Sequence, residues 1–397
     1  MTVHNHRFLN LPHWSFNWRL PGLTGLYLNA CLRNFSIAMV NIFIPLFILK
    51  TTGKIEYIFI FYIYYHTFLI LLDYPLIFLM TKIGPDISVL ISNLLLGCYL
   101  FSILLMKQNF SFIFLAALFS ALFVPLYWIP YHLAFVKLGK EEKYGESISY
   151  FSILGRLSTA LGPVAGGLII AIFGFEKLFM AVVIFIMIST IPLFFDRFKR
   201  VSKAPPLDHV LRGLIKPDYR DNLLAFWGVS LESLILAIFW PIFIYKVVSS
   251  YKIVGLISSL GLLLSMMMLF WVGKRVDRKG QGMLKVGVLT NSVNWLIRIF
   301  LTSGWQIFLA DFFYNLGAAL LWTPFDTMVY RKAIDSDPFD FFIKRELSLH
   351  IGGLLASLLV WFVWAFIPNW FVIFSLGAVG LFLTGLMIKN IHKVLDK

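Results

Sequence analysis

Five ionisable residues stand deep inside otherwise apolar stretches, and these groups have the chemistry to offer: Arg33, Asp73, Arg156, Glu232 and Asp311. A charge in such a setting costs at least ~2.5 kcal/mol even on lenient scales, so each needs a partner, water or a task. At about 1.5 Å of helix per residue, Arg33 and Arg156 lie roughly nine residues from one end of their stretches and Asp73 roughly seven, so the three share a layer. The simplest arrangement is a salt bridge from Asp73 to one arginine. It leaves the other guanidinium free to hold an anionic or zwitterionic group bidentately. Glu232 sits about eleven residues into its stretch, in GVSLESLILAIF, with no basic residue within a helical turn. A carboxyl group so isolated suits loading and release of a proton, which makes Glu232 the expected proton-coupling residue. Arg33 is expected opposite it, either exchanging with that proton or forming a fixed ion pair.

Several weaker candidates surround these five. Asp311 and Asn315 are one turn apart and are expected to line the same cavity. His66 and His350 are placed to relay protons or simply to pack. Asp326 is expected to pair with Arg331, and Arg298 to snorkel its charge to a polar interface. Tyr127, Trp128 and Tyr131 lie beside Pro130, and Trp322 and Phe325 beside Pro324. They either line a vestibule or pack in matching places.

The elements that carry these residues follow from composition. The chain has 397 residues, 59% hydrophobic and only 14% charged, with a mean hydropathy of +0.83. Soluble domains carry about 25% charge. A spanning helix needs roughly 20 apolar residues, and stretches at about 22–50, 55–80, 87–106, 110–137, 147–173, 177–195, 221–248, 252–272, 283–302, 304–330, 342–366 and 368–389 qualify. With both termini cytoplasmic, inner segments hold 25 of the 34 Lys and Arg residues and outer loops hold six. That bias orients a membrane protein and removes the need for nucleic acid to explain a net charge of +14. Residues 1–21, broken by His4, His6, Arg7, His13 and Arg19, read as an aromatic, basic juxtamembrane segment rather than a cleavable signal. Residues 196–220 read as a cytoplasmic linker with room for one interfacial helical turn, and 391–397 as a cytoplasmic tail. Cys31 and Cys98 both fall inside apolar stretches, so no disulfide framework is expected.

An internal repeat organises the whole. Residues 113–137 align without gaps on 307–331 with nine of 25 positions identical, Trp128/Trp322 and Pro130/Pro324 among them. IFIPLFILK at 42–50 matches IFWPIFIYK at 238–246 at six of nine positions. Apolar bias does not match Trp and Pro at an offset of 194 in one region and Pro and Lys at 196 in another. The expected fold is therefore an all-α membrane protein of twelve transmembrane helices, built as two parallel-repeat six-helix bundles at 22–195 and 221–390.

This layout resembles the major facilitator superfamily over nearly the whole chain. Gly273-Lys-Arg-Val-Asp277-Arg278-Lys-Gly280 is similar to that family's G-x-x-x-D-R-x-G loop, in which the acid and base help latch a cytoplasmic gate. The resemblance implies a gate role for Gly273, Asp277, Arg278 and Gly280, with Glu346 as their partner. The copy after helix 2 keeps Lys82 and Gly84 but lacks the acid. Gly162-Pro163-Val164-Ala165-Gly166-Gly167 is similar to an element of antiporter-type exporters. It serves equally as a helix-packing seam. The resemblance implies that helices 1, 2, 4 and 5 line a cavity and that helix 9 is peripheral.

The expected function is secondary active transport of a small organic solute by alternating access in the inner membrane, proton-coupled and leaning to export. The expected protein is a monomer without cofactor or metal. A lipid or amphiphile translocator of the same fold is the alternative. An integral-membrane transferase is the lesser one, since the loops are short and no interfacial His/Asp cluster is present. No Walker loop appears, so direct ATP drive is not expected.

Overall fold

The computed structural model describes residues 24–138, 145–195, 204–273 and 276–390. Its elements are helical. In order they are α1 (Thr24–Asn41), α2 (Ile44–Thr52), α3 (Glu56–Ile83), α4 (Pro85–Leu105), α5 (Phe112–Leu138) and α6 (Gly145–Thr190). There follow α7 (Leu207–Leu214), α8 (Arg220–Val248), α9 (Tyr251–Gly273), α10 (Val276–Ile297), α11 (Gly304–Ile334), α12 (Pro338–Phe366) and α13 (Trp370–Thr384). Among the described residues, nine helical segments are long and apolar enough to cross a bilayer, and 251–266 forms a shorter apolar helix. Leu71, Ile172, Phe173, Phe362 and Phe366 are all exposed. An apolar exterior of this extent needs lipid around it.

Local chemistry explains the breaks. The single first stretch divides into α1 and α2 because Pro45 enters the first turn of a new helix, and Gly53 caps that helix in the left-handed region at φ 70°. The 46-residue α6 is interrupted at Gly174, whose φ of 82° and ψ of 175° no ordinary side chain tolerates well. The chain reverses there. Gly155 lies beside Asn34 and Gly166 beside Phe43, whereas after the break Phe179 packs on Phe47 and Asn29 Nδ2 donates to Ser189 O at 2.6 Å. So α6 is two antiparallel arms flanking α1 and α2.

The linker forms more than one turn. In α7, Val210 and Leu214 are buried and His209 Nε2 lies 3.8 Å from Asp340 of α12. Tyr74 of α3 donates to the Pro205 carbonyl at 3.0 Å. The linker thus straps the end of α3 to the start of α12, and the side of the molecule it marks is called the linker face below.

Small residues join the helices, as expected where lipid supplies no hydrophobic drive between them. Gly162 and Gly166 of α6 meet α1 at Ala38 and Met39, while Gly167 meets the Tyr251 carbonyl of α9. Gly255 of α9 returns the approach against Pro163. Pro163 removes one backbone donor from α6, and the neighbouring Val164 N–H donates across to Ser259 Oγ of α9 at 2.8 Å.

Candidate functional site

A cavity of about 620 Å³ reaches from the linker face into the centre of the bundle. One wall comes from α1, α5 and α6 through Asn34, Trp128, Tyr131, His132, Arg156 and Thr159. The other comes from α11 and α12 through Thr323, Asp326, Tyr330, Arg331 and Arg345. A second space of about 520 Å³ shares Asn34, Trp128 and Thr159 and continues away from the linker face to Trp240, Asp311, Tyr314 and Asn315. Together they form one tract between two groups of helices, with polar groups set in a largely apolar lining.

Arg156 and Asp326 are both exposed to this tract, and each feels the other's charge across it. Arg345 contributes a second guanidinium to Asp326. The tract therefore opposes fixed charges of both signs, the arrangement that holds a charged or zwitterionic solute. Deeper in, Asp311 Oδ1 accepts from Trp240 Nε1 at 2.9 Å and Oδ2 accepts from Asn315 Nδ2 at 3.1 Å. Asn315 and Asp311 share the cavity as their spacing predicts.

Arg33 does not line the tract. It is 1% exposed and lies within the first group of helices, where its guanidinium sits 3.6 Å from the centroid of the Tyr127 ring. Nη1 donates to Ser92 Oγ at 3.2 Å and to Asn93 Oδ1. An aromatic face and two neutral acceptors thus stand where a carboxylate is expected. Tyr127 is consumed in holding Arg33, whereas Trp128 and Tyr131 face the cavity. Trp322 lines neither cavity and packs edge-on against Phe325.

The expected facing of Arg33 and Glu232 is also corrected. Glu232 is fully buried behind the cavity wall, and its Oε1 accepts from Tyr314 and, at 3.3 Å, from Trp295 Nε1. The cation whose charge acts on this group is Arg298. Far from snorkelling, Arg298 is 0% exposed, with its guanidinium 3.8 Å from the Trp240 centroid and 3.9 Å from that of Trp295. Its Nε donates to Asn294 Oδ1 at 3.1 Å. The end of the helix expected to be peripheral therefore carries a buried cation that feels the charges of Tyr314, Asp311 and Glu232.

Asp73 meets a histidine rather than an arginine. Its Oδ2 lies 3.2 Å from His350 Nε2, joining α3 to α12. The same nitrogen is 3.8 Å from Glu346 Oε2, and Glu346 Oε1 contacts Arg345 and lies 3.9 Å from His132 Nε2. His132 Nδ1 is 2.8 Å from the Tyr330 hydroxyl, and its ring stacks on Phe342 at 4.8 Å. A chain of polar groups therefore runs from the cavity wall at His132 and Arg345 into the α3/α12 seam. His66 abuts its far end, with its ring 6.0 Å from that of His350, in a notch that only Gly353 leaves open.

Glu346 thus points into this chain. The 273–280 segment begins α10 at Val276, so Asp277, Arg278 and Gly280 stand in helical backbone rather than in a loop. The side chains of Asp277 and Arg278, and residues 274–275 after Gly273, lie outside the described residues. Trp240, Tyr330 and Arg345 are cavity residues that sequence reasoning passes over. The repeat aligning 42–50 with 238–246 is the signal that singles out the Trp240 region.

The profile of the Major Facilitator Superfamily matches residues 26–336, most of the chain. The chain belongs to the major facilitator superfamily. It is accordingly a multi-pass membrane transporter. No curated protein matches the sequence.

Proposed function

We propose that this transporter moves a small organic solute across the cytoplasmic membrane by alternating access, coupled to protons. The observation that carries the reading is the central tract, into which Arg156 and Asp326 project from opposite helix groups. Twelve spans make up the two halves: α1 with α2, α3, α4, α5 and the two arms of α6, then α8 to α13. The repeats at 113–137/307–331 and 42–50/238–246 support two parallel copies. The linker face is the cytoplasmic one, since Lys and Arg residues concentrate on its segments. The conformation is then open to the inside, with α6 sealed on α9 towards the outside and the Gly273–Gly280 segment acting as a gate on the inner face.

Charges of both signs in the tract favour a zwitterion, or an ion exchanged against protons. An amphiphile translocator would place acyl chains in this space. Arg156, Asp326, His132 and Arg345 around it favour a polar solute instead. The lean to export rests on residues 162–167 alone, and measured flux direction decides it. Glu232 is one carboxyl group available for a coupling proton, through Tyr314 on the cavity wall.

The test uses proteoliposomes loaded with a pH-sensitive dye and challenged with panels of zwitterionic, anionic and cationic solutes. One class should move protons, and that movement should be lost in Arg156→Gln and in Asp326→Asn. Proton-silent responses to every class, under both gradient directions, would overturn the reading.

A further inference from the structure

We propose that the His350 imidazole, held between Asp73 and Glu346, is the binding site of the coupling proton, and that its occupancy decides whether α3 and α12 stay closed against each other. The inference rests on the transport reading above and names where its proton is held.

The first support is geometric. Asp73 Oδ2 and Glu346 Oε2 approach the same His350 nitrogen, at 3.2 and 3.8 Å. His350 Nε2 is thus within ion-pair reach of two carboxylates, and neither it nor either Asp73 oxygen has a hydrogen-bond partner, so a proton here has buried acids on two sides to settle between. All three groups are buried, Asp73 completely. The pair also spans the two halves, because Asp73 belongs to α3 and His350 to α12.

The second support is charge balance. Asp73 and Glu346 carry two negative charges, and Arg345, in contact with Glu346, supplies one positive charge. A protonated His350 closes the account at zero. Without that proton two buried carboxylates share one arginine, and burial of an unpaired charge is strongly unfavourable. Asp73 is fully buried, and parting of the seam would let water reach it.

The other groups facing the pair do not supply the missing charge. On α3 itself these are Tyr65 and His66, and α4 adds Tyr99 behind them. From α5 comes His132, and from α11 come Tyr330 and Asp326, the last shared with Arg156 of α6. Tyr219, ahead of α8, reaches Ser348 on α12. Asp326 and Arg156 offset each other, and the histidines are neutral unless they take up the proton themselves.

The third support is access. His132 and Arg345 line the cavity, and Glu346 Oε1 lies 3.9 Å from His132 Nε2. His132 Nε2 faces Arg345 Nη1 at 3.2 Å, and the Glu346 carboxyl group stands 3.9 Å from His132 and 3.8 Å from His350, so a proton from cavity water would cross to His350 through Glu346 with one water bridging each gap. In each step one N–H or O–H bond breaks as the next forms, and no other reactant is consumed. Loading from one side and parting of the seam would couple proton entry to the change of state.

The experiment places spin labels on the linker face at Lys82, near the end of α3, and Ser336, just before α12, with Cys31 and Cys98 replaced by serine. Distance distributions are recorded from pH 5 to 9 in lipid nanodiscs without any solute. The short-distance population should fall as pH rises, by at most tenfold per pH unit for one linked proton. His350→Gln and Asp73→Asn should each flatten that response. The double variant Asp73→Asn/His350→Gln carries no buried charge at the pair, so it reads the same effect if either single variant folds poorly. A wild-type distribution constant from pH 5 to 9 overturns the proposal. So does a response that survives the double variant, or one lost in Glu232→Gln alone. Because no solute is present, a pH-inert seam leaves the transport reading standing, and failure of solute flux leaves a pH-dependent seam to be explained.

Discussion

Gly167→Ala is the sharpest test of how the two groups of helices are held together. A Cβ at Gly167 would lie 2.6 Å from the Tyr251 carbonyl oxygen and 3.3 Å from Lys252 Cα, both backbone atoms of α9. Carbon and oxygen normally approach to about 3.3 Å, so the helices must separate by roughly 0.7 Å. No flexible side chain is available to yield. The neighbouring contacts of the same seam, Gly255 on Pro163 and the 2.8 Å bond from Val164 N–H to Ser259, would be strained together. Overpacking of this kind costs about 1–3 kcal/mol. That cost falls only on states in which α6 and α9 are closed, so it shifts the equilibrium towards states in which they part by roughly 5- to 150-fold. Spin labels at Lys177 and Lys252, exposed positions beside the seam, would report the change as growth of a long-distance population. Gly97→Ala is the control, since its added Cβ would make only ordinary side-chain contacts, with Met187 at 3.8 Å and Val183 at 4.0 Å. An unchanged distance distribution in Gly167→Ala would refute the account of the seam.

Two further outcomes follow from the buried charges. Arg298→Gln removes the cation held between the Trp240 and Trp295 rings, whose charge offsets Asp311 and Glu232 from beyond ion-pair distance, and should destabilise the protein by about 2 kcal/mol. Adding Glu232→Gln should restore much of the loss, which thermal unfolding in lipid nanodiscs would register; an equally unstable double variant would count against the pairing. Trp240→Phe removes the indole donor 2.9 Å from Asp311 Oδ1 and should cost about 1–3 kcal/mol while retaining the ring over Arg298. The same unfolding assay checks it, and a loss as large as that of Trp240→Ala would show that packing, not the hydrogen bond, is what matters.

The spans, the internal repeat and the family resemblance were legible in the sequence because each is a local or additive property. Hydropathy sums along a stretch, Gly174 falls in the gap between two of the stretches, and a repeat is a comparison of one segment with another, whereas the break at Pro45 within the first stretch appears only in the structure. The cavity could be anticipated in part: Trp128, Tyr131, Arg156, Asp311 and Asn315 all reach it. The pairing of the deep charges could not. Each residue turns a side chain by about 100° around a helix, so whether Arg33 faces water, lipid or Tyr127 depends on how that helix is rotated against its neighbours. Nor does a guanidinium require a carboxylate: Tyr127 holds Arg33, and Trp240 with Trp295 holds Arg298, by ring faces that no charge pattern announces. Asp73 and His350 are 277 residues apart and meet only because α3 and α12 pack across the seam. The sequence determined that charges lie in the membrane, since their cost there demands a reason. Tertiary packing alone decided which of them touch, because contact between distant helices is set by rotation and depth that composition does not encode.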